Sequence, residues 1–446
     1  MPFYQTGRQI FSRLIPRPRL GLALVIAFLL LGRVGATYGQ YVLEDVKDKD
    51  RYGKNQLILP YALYTPSDRF GGGFAWVTNG LIQPQADSFG LAFGDLNNTY
   101  GFEVGQDDFQ IRPINRLFLS SQFGLFRYNY DPIYISGVKY FPTEPAGTNN
   151  SSDDNFIERR HNDDWGHVEL KYLLPIGGGR DTIINHYTME NGSVKAGQTG
   201  GRGYNPFTTG RTYLTLTPFF EYQTIDRRLT QEHFNENGLR FGAVYDNTDF
   251  PLNPSSGNVS KLTISRDFGW FDTHNPWTNI SAEIAQYLNL GRSPWFRQQV
   301  VALDGWTSYS VTWSEHFVNG QRVVSNAPPF YDGATLGGSD RFRGYNDNRF
   351  WDRAVVYGTA ELRLTPEWNP LGKIGLLKKA DIAWMQWVIF GEVGRVAAEY
   401  SPDVLKHLKG DAGFGLRILA NDTIVRFDVA ASNEKFGVWA GLSQPF

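Results

Sequence analysis

The chain has no cysteine and only 3 Met in 446 residues. Without thiols there is neither a disulfide framework nor a thiolate metal site. Beyond the apolar run Leu20 to Leu31, no stretch approaches the ~20 apolar residues of a membrane helix. Any membrane location must then rest on a closed barrel of strands. An excess of basic charge is missing too: 43 Lys and Arg face 45 Asp and Glu. Removal of residues 1–36, which carry five Arg and no acid, takes the net charge from −2 to −7 and excludes a basic nucleic-acid-binding surface. Catalytic signatures are absent: there is no Gly-x-Ser-x-Gly elbow and no His-Glu-x-x-His pair. Ser314-Glu315-His316 offers the right residue types, but neighbours along one strand cannot form a nucleophile, base and orienter triangle. No enzyme activity, cofactor or metal is expected.

Aromatic residues are plentiful, with 23 Tyr, 32 Phe and 12 Trp, in a chain of modest hydrophobicity. That combination suits an outer-membrane barrel, in which apolar lipid-facing residues alternate with polar lumenal ones and aromatic girdles mark the interfaces. Residues 1–39 read as a signal peptide: Arg8, Arg13, Arg17 and Arg19 precede the apolar run, and Gly35, Ala36 and Gly39 follow it. Residues 40–56 are a short charged tail, expected in the periplasm, and 57–446 form the barrel.

Period-two alternation recurs through the chain. Leu57 to Thr65 and Phe70 to Thr78 read as a first hairpin, and Asp87 to Val104 as a second, turned at Asn97-Asn98. Arg116 to Tyr130 with Pro132 to Tyr140 reads as a third. Phe141 to Asp164, rich in Asp, Asn and Ser, reads as a solvated loop, and its oxygen side chains leave a divalent-ion or lipopolysaccharide contact open. The glycine-rich 191–210 reads as a flexible loop. In the later strands Leu262 and Ile264 face lipid if Lys261, Thr263, Ser265 and Asp267 face the lumen. Dividing about 410 residues by roughly 25 per strand and connection gives about sixteen strands.

The most informative stretch is Gly337-Gly338-Ser339-Asp340-Arg341-Phe342-Arg343-Gly344-Tyr345, inside a long polar connection. Its glycines permit tight turns, and Arg343 presents a planar five-donor fork that calls for a carboxylate. Two candidates follow at strand spacing: Glu361 lies opposite the face of Val356, Ala360, Leu362 and Leu364, and Glu392 opposite Ile389 and Val393. In a closed barrel both point into the lumen.

Gly-Gly-x4-Arg-Gly-Tyr resembles the loop-six signature of the Omp85 outer-membrane barrels, the superfamily of barrel-assembly, translocation-assembly and two-partner secretion proteins. Tyr245-Asp246 with Pro254 and Gly257 is similar to the periplasmic turn motif of the bacterial surface antigen (D15) domain. Phe436, Val438, Leu442 and Phe446 of the last strand resemble the C-terminal signal by which such barrels are themselves inserted by the barrel-assembly machinery. The resemblance implies an all-β fold, a transmembrane antiparallel β-barrel with a long loop folded into the lumen, located in the bacterial outer membrane. It further implies a latch of Gly337, Gly338, Arg343, Gly344, Tyr345, Glu361 and Glu392, with Glu392 standing where the family usually has Asp. The expected partners are outer-membrane lipid, lipopolysaccharide and client outer-membrane or surface proteins. The implied work is insertion or translocation of proteins or lipids; the alternative is a passive channel or structural barrel. Most relatives carry polypeptide-transport-associated domains before the barrel, and residues 40–56 are too few for one. Pro60, Gly437, Gly441 and Pro445 fit a weakly bonded seam between first and last strands.

Overall fold

The computed structural model describes residues 33–35, 44–48, 56–65, 69–80, 82–136, 140–190, 192–201, 203–227, 230–273, 275–318, 321–374, 380, 382–420 and 423–446. The remainder of the expected signal peptide and of the amino-terminal tail lies outside the described residues.

Sixteen antiparallel strands form the wall of the barrel: β1 Gln56–Thr65, β2 Arg69–Asn79, β3 Asp87–Asp95, β4 Tyr100–Gln110, β5 Leu117–Ile133, β6 Ile157–Leu173, β7 Arg211–Asp226 and β8 Gln231–Asp246. They continue with β9 Gly257–Asp267, β10 Trp277–Gly291, β11 Phe296–Ser310, β12 Ala354–Pro366, β13 Ile382–Ala397, β14 Lys409–Ala420, β15 Thr423–Ala431 and β16 Phe436–Leu442. Each pairs with the next in an unbroken meander. On the remaining edge of β16, Arg33–Gly35 runs parallel, with Val34 opposite Ala440.

Alternation explains why these residues are strands. Phe241, Leu262, Ile264, Ile284, Leu288, Ile389 and Val393 stand exposed on the outer face, where hydrocarbon covers them. Their neighbours Tyr213, Thr217, Ser265, Glu361 and Glu392 are buried inside. Both termini of the wall lie at one end, as do the connections 111–116 and 247–256. The connections from β5 to β6 and from β11 to β12 lie at the other.

Two expectations change. Pro132 to Tyr140 is not the second arm of a hairpin: β5 runs on through Pro132, and its partner is β6. Accordingly Glu158, Arg159, Arg160, His161, Asp163 and Asp164 belong to a strand and not to a loop. His161 stacks on Tyr128 at 4.7 Å, and Asp164 pairs with Arg127 at 3.0 Å. His161 points inward, whereas Asp164 shares the outward face of Leu125, its ladder partner, so charge on both faces of one strand imitates a loop in sequence.

The segment between β6 and β7 builds a small sheet of its own. Asn185–Glu190 pairs with Ser193–Ala196 and, in parallel, with Glu44–Asp48. The glycine-rich stretch after it is docked, contrary to the flexible loop expected. Thr199 Oγ1 donates to the Thr248 carbonyl at 3.0 Å, and Asn247 Nδ2 donates to the carbonyls of Gly201 and Gly203 at 2.8 and 3.0 Å.

Candidate functional site: a loop tip in the barrel lumen

The connection between β11 and β12 folds inward. Ala334–Leu336 pairs with Phe350–Asp352, bringing the ends of the tip together. Gly337 and Gly338 take φ of 121° and 117°, a region that L side chains rarely adopt. A Cβ on Gly337 would stand 2.1 Å from the Asn346 carbonyl oxygen. Phe342 is also left-handed, with φ 66°. Its ring packs between Tyr345, Phe350 and Tyr357 at 4.8, 6.1 and 6.0 Å. This aromatic knot fixes the backbone on either side of Arg343.

Arg343 has no exposed surface. Its Nη1 lies 2.9 Å from Glu361 Oε1 and 3.1 Å from Asp428 Oδ2, and its Nε donates to Glu392 Oε1 at 3.2 Å. The Arg343 backbone N–H donates to Glu392 Oε2 at 2.6 Å. The guanidinium carbon sits 3.5 Å from the centroid of the Phe390 ring. Burial alone disfavours its charge, but Glu392, Asp428 and Glu361 outweigh that penalty and raise its pKa well above the ordinary value.

The neighbours extend the network. Gly344 N–H donates to Asp411 Oδ2 at 2.7 Å, and Tyr345 Oη donates to the Gly410 carbonyl at 3.0 Å. Arg363 Nε donates to Glu361 Oε2 at 2.8 Å, Arg417 Nη1 to Asp428 Oδ1 at 2.5 Å, and Arg426 Nη2 to Asp340 Oδ1 at 3.0 Å. Four guanidiniums (Arg343, Arg363, Arg417, Arg426) thus meet three strand carboxylates (Glu361, Glu392, Asp428) in the lumen. Such a cluster persists only because each charge is paired; removal of one member leaves another uncompensated, at ~3–5 kcal/mol.

Sequence reasoning placed Arg343, Glu361 and Glu392, and the structure brings these three together. It missed Asp428, Asp411, Arg363, Arg417 and Arg426. A signal was present: Glu361 and Arg363, like Arg426 and Asp428, are opposite charges two residues apart on one strand face.

The loop also reaches the last strand. Trp439 Nε1 donates to the Arg343 carbonyl at 2.6 Å, and Ser432 Oγ to that of Gly344 at 2.8 Å. A Cβ on Gly437 would lie 2.1 Å from the Arg343 carbonyl oxygen. Gly437, taken from sequence as a mark of weak pairing, is therefore demanded by close approach of the loop backbone.

At the opposite end, Asp246 Oδ1 accepts from Thr248 N–H at 2.8 Å and Thr248 Oγ1 at 2.7 Å. Pro254 is buried in the turn, and Gly257 has φ 99°. Phe436, Val438 and Leu442 lie on the outward face of β16. Phe446 does not join them: the strand ends at Leu442, and Phe446 stacks inside on Tyr287 at 6.3 Å.

An inward loop gripping the walls of a sixteen-stranded barrel defines a class of outer-membrane protein, and comparison with known proteins names it. The Omp85 superfamily domain matches residues 169–436, and the chain belongs to that superfamily. Membership places it in the bacterial outer membrane, among barrels of protein insertion and transport. Among solved structures, it is similar to BamA from Haemophilus ducreyi lacking POTRA domains 1-3. Identity is 10%, TM-score 0.47, and the match covers 95% of this chain and 77% of that one. It is similar to CdiB from Acinetobacter baumannii at 11% identity and TM-score 0.48, covering 87% of this chain and 58% of that one. CdiB from Escherichia coli gives 10%, 0.49, 87% and 62%. No curated protein matches the chain.

Proposed function

We propose that the barrel inserts or translocates client proteins at the outer membrane, without enzymatic chemistry, and that the loop carrying Arg343 is a latch on the seam between β1 and β16. The observation that supports this is the grip of the loop tip on the last strand. A loop that merely filled a pore would need contacts to the wall, whereas this one also holds Trp439 and closes on Gly437. An unlatched β16 would present backbone N–H and C=O groups along an edge, a template to which an extended client segment can add. The passive-channel reading fits less well. Residues 334–352 and 443–446 fold into the lumen, beside a cavity of about 420 Å³ lined by β6–β11 and the loop.

Quantitative proteomics of outer membranes from cells with the wild-type gene, without it, and with Arg343→Ala tests the proposal. Depletion of one or a few barrels or surface proteins in both altered strains is expected and identifies the clients. An unchanged protein inventory in the deletion strain overturns the proposal in favour of a channel.

A further inference from the structure

Beyond Leu442 the chain turns into the barrel. Ser443 takes φ 65° and donates its N–H to the Ile424 carbonyl at 2.8 Å, which directs the next three residues across the inner wall. Gln444 is buried. Its Oε1 accepts from Arg417 Nε at 3.1 Å, and its Nε2 donates to Gln386 Oε1 at 3.2 Å and Asn253 Oδ1 at 3.4 Å. Pro445 brings no N–H, so the crossing leaves no donor unpaired between its two anchors. The Phe446 ring stacks on Tyr287, with the Arg363 guanidinium 4.9 Å from its centroid, and Arg363 Nη2 donates to the Phe446 carbonyl at 3.4 Å. Arg363 Nη1, buried beside it, has no hydrogen-bond partner.

The contacted residues lie on β10, β12, β13, β14 and the 247–256 turn. Three residues therefore tie β16 to strands with which it shares no ladder. This matters because β16 is the least firmly paired strand: its ladder to β15 spans seven residue pairs, the shortest of the fifteen. The same two arginines face the latch. Arg363 pairs with Glu361 and Arg417 with Asp428, and both acids pair with Arg343. Two acid and base relays, joined to each other where Arg417 Nη2 lies 3.7 Å from Glu361 Oε1, thus connect the loop tip to the Gln444–Phe446 segment.

We propose that the inner wall carries a binding site for an extended segment presenting a carboxamide and, two residues on, an aromatic ring. Residues 444–446 occupy it in cis and clasp β16 shut together with Arg343. Asn253, Gln386 and Arg417 read the carboxamide; Tyr287 and Arg363 take the ring by stacking and cation–π attraction. The inference rests on the proposed reading of the seam as the place where the barrel opens.

Because the chain has no cysteine, a pair placed at Val300, in the cluster around Tyr287, and at Phe446, which packs against that cluster, can be joined by a short bis-maleimide. The full-length V300C/F446C barrel in phosphatidylcholine vesicles should cross-link, and single-channel recordings should then show openings suppressed relative to the unlinked barrel. Gln444→Ala with Phe446→Ala should open about tenfold more often, equivalent to ~1.4 kcal/mol. An acetylated Ser-Gln-Pro-Phe amide should return that variant to the wild-type frequency, and Ser-Gln-Pro-Ala should not. Openings unaffected by the cross-link, or indifferent to the substitutions, overturn the clasp. A peptide without effect overturns the binding site. If the double-alanine barrel fails to refold, the cross-link decides. None of these readouts needs a client, so a working clasp in a strain with an unchanged outer-membrane inventory would refute the transport role alone.

Discussion

Arg343 in the loop from β11 to β12 and Asp428 in β15 lie 3.1 Å apart, eighty-five positions from one another in sequence and without exposed surface on either side chain. The pair can form only if the loop has entered the lumen. Arg343→Ala should therefore release the loop, since Glu361, Glu392 and Asp428 would be left facing one another at ~3–5 kcal/mol. Arg343→Lys should recover little, because a point ammonium cannot address three carboxylates with a planar fork. Protease cleavage within 334–352 on intact cells checks this: both variants should be cut there and the wild type spared.

Gly437→Ala should undock the loop without altering any charge. The added methyl would meet the Arg343 carbonyl oxygen at 2.1 Å and the Trp439 indole nitrogen at 2.9 Å. Cleavage should match that of Arg343→Ala, while Gly441→Ala, on the same strand face, serves as control. Equal protection of Gly437→Ala and wild type would refute the close approach.

Gly257→Ala should slow folding of the barrel. The position requires φ 99°, and a Cβ there would meet the Asn247 carbonyl oxygen at 2.1 Å. Asp246→Ala should cost ~1 kcal/mol through the lost acceptor for Thr248. Refolding into detergent micelles, followed by the heat-dependent gel shift of barrels, measures both; an unaltered rate for Gly257→Ala would count against a strained turn.

Docking of the loop should weaken in alkali. Tyr134, just beyond β5, accepts a hydrogen bond from Asn346 Nδ2 at 2.7 Å. Burial pushes its phenol from 10.0 up to about 12. A raised acid pKa means that the neutral form is favoured when folded, so its contribution is complete below pH 10.0 and is lost as pH rises to about 12. A difference titration by ultraviolet absorbance between wild type and Tyr134→Phe should show one late-ionising phenol; its absence would contradict the buried contact.

Much of the architecture was legible because period-two alternation survives wherever one face meets lipid. Leu262, Ile264, Ile389 and Val393 announce their strands, and the spacing from Arg343 to Glu361 and Glu392 is local to strands that read clearly. Legibility failed where the lumen supplied the environment. The acidic run through Asp164 looked like a loop because charge sits on both faces of β6, inward at Asp163 and outward at Asp164, and Pro132 looked like a break although the β5 ladder continues through it after a register shift between Tyr128 and Asp131. Asp428 and Arg417 could not be assigned without knowing that β14 and β15 face the loop tip. Nothing near Ser443 in the sequence reveals that the chain turns inward there.

The guanidiniums and carboxylates that hold Arg343 in the lumen are shut away from solvent. Mobile ions can screen only fields that reach them, and this assembly projects almost none. The hold on the last strand should be indifferent to ionic strength, from dilute medium to brine. What undoes it must arrive as matter, a segment of chain that takes the place of one partner, so the barrel answers to the shape of its visitor and not to the salt around it.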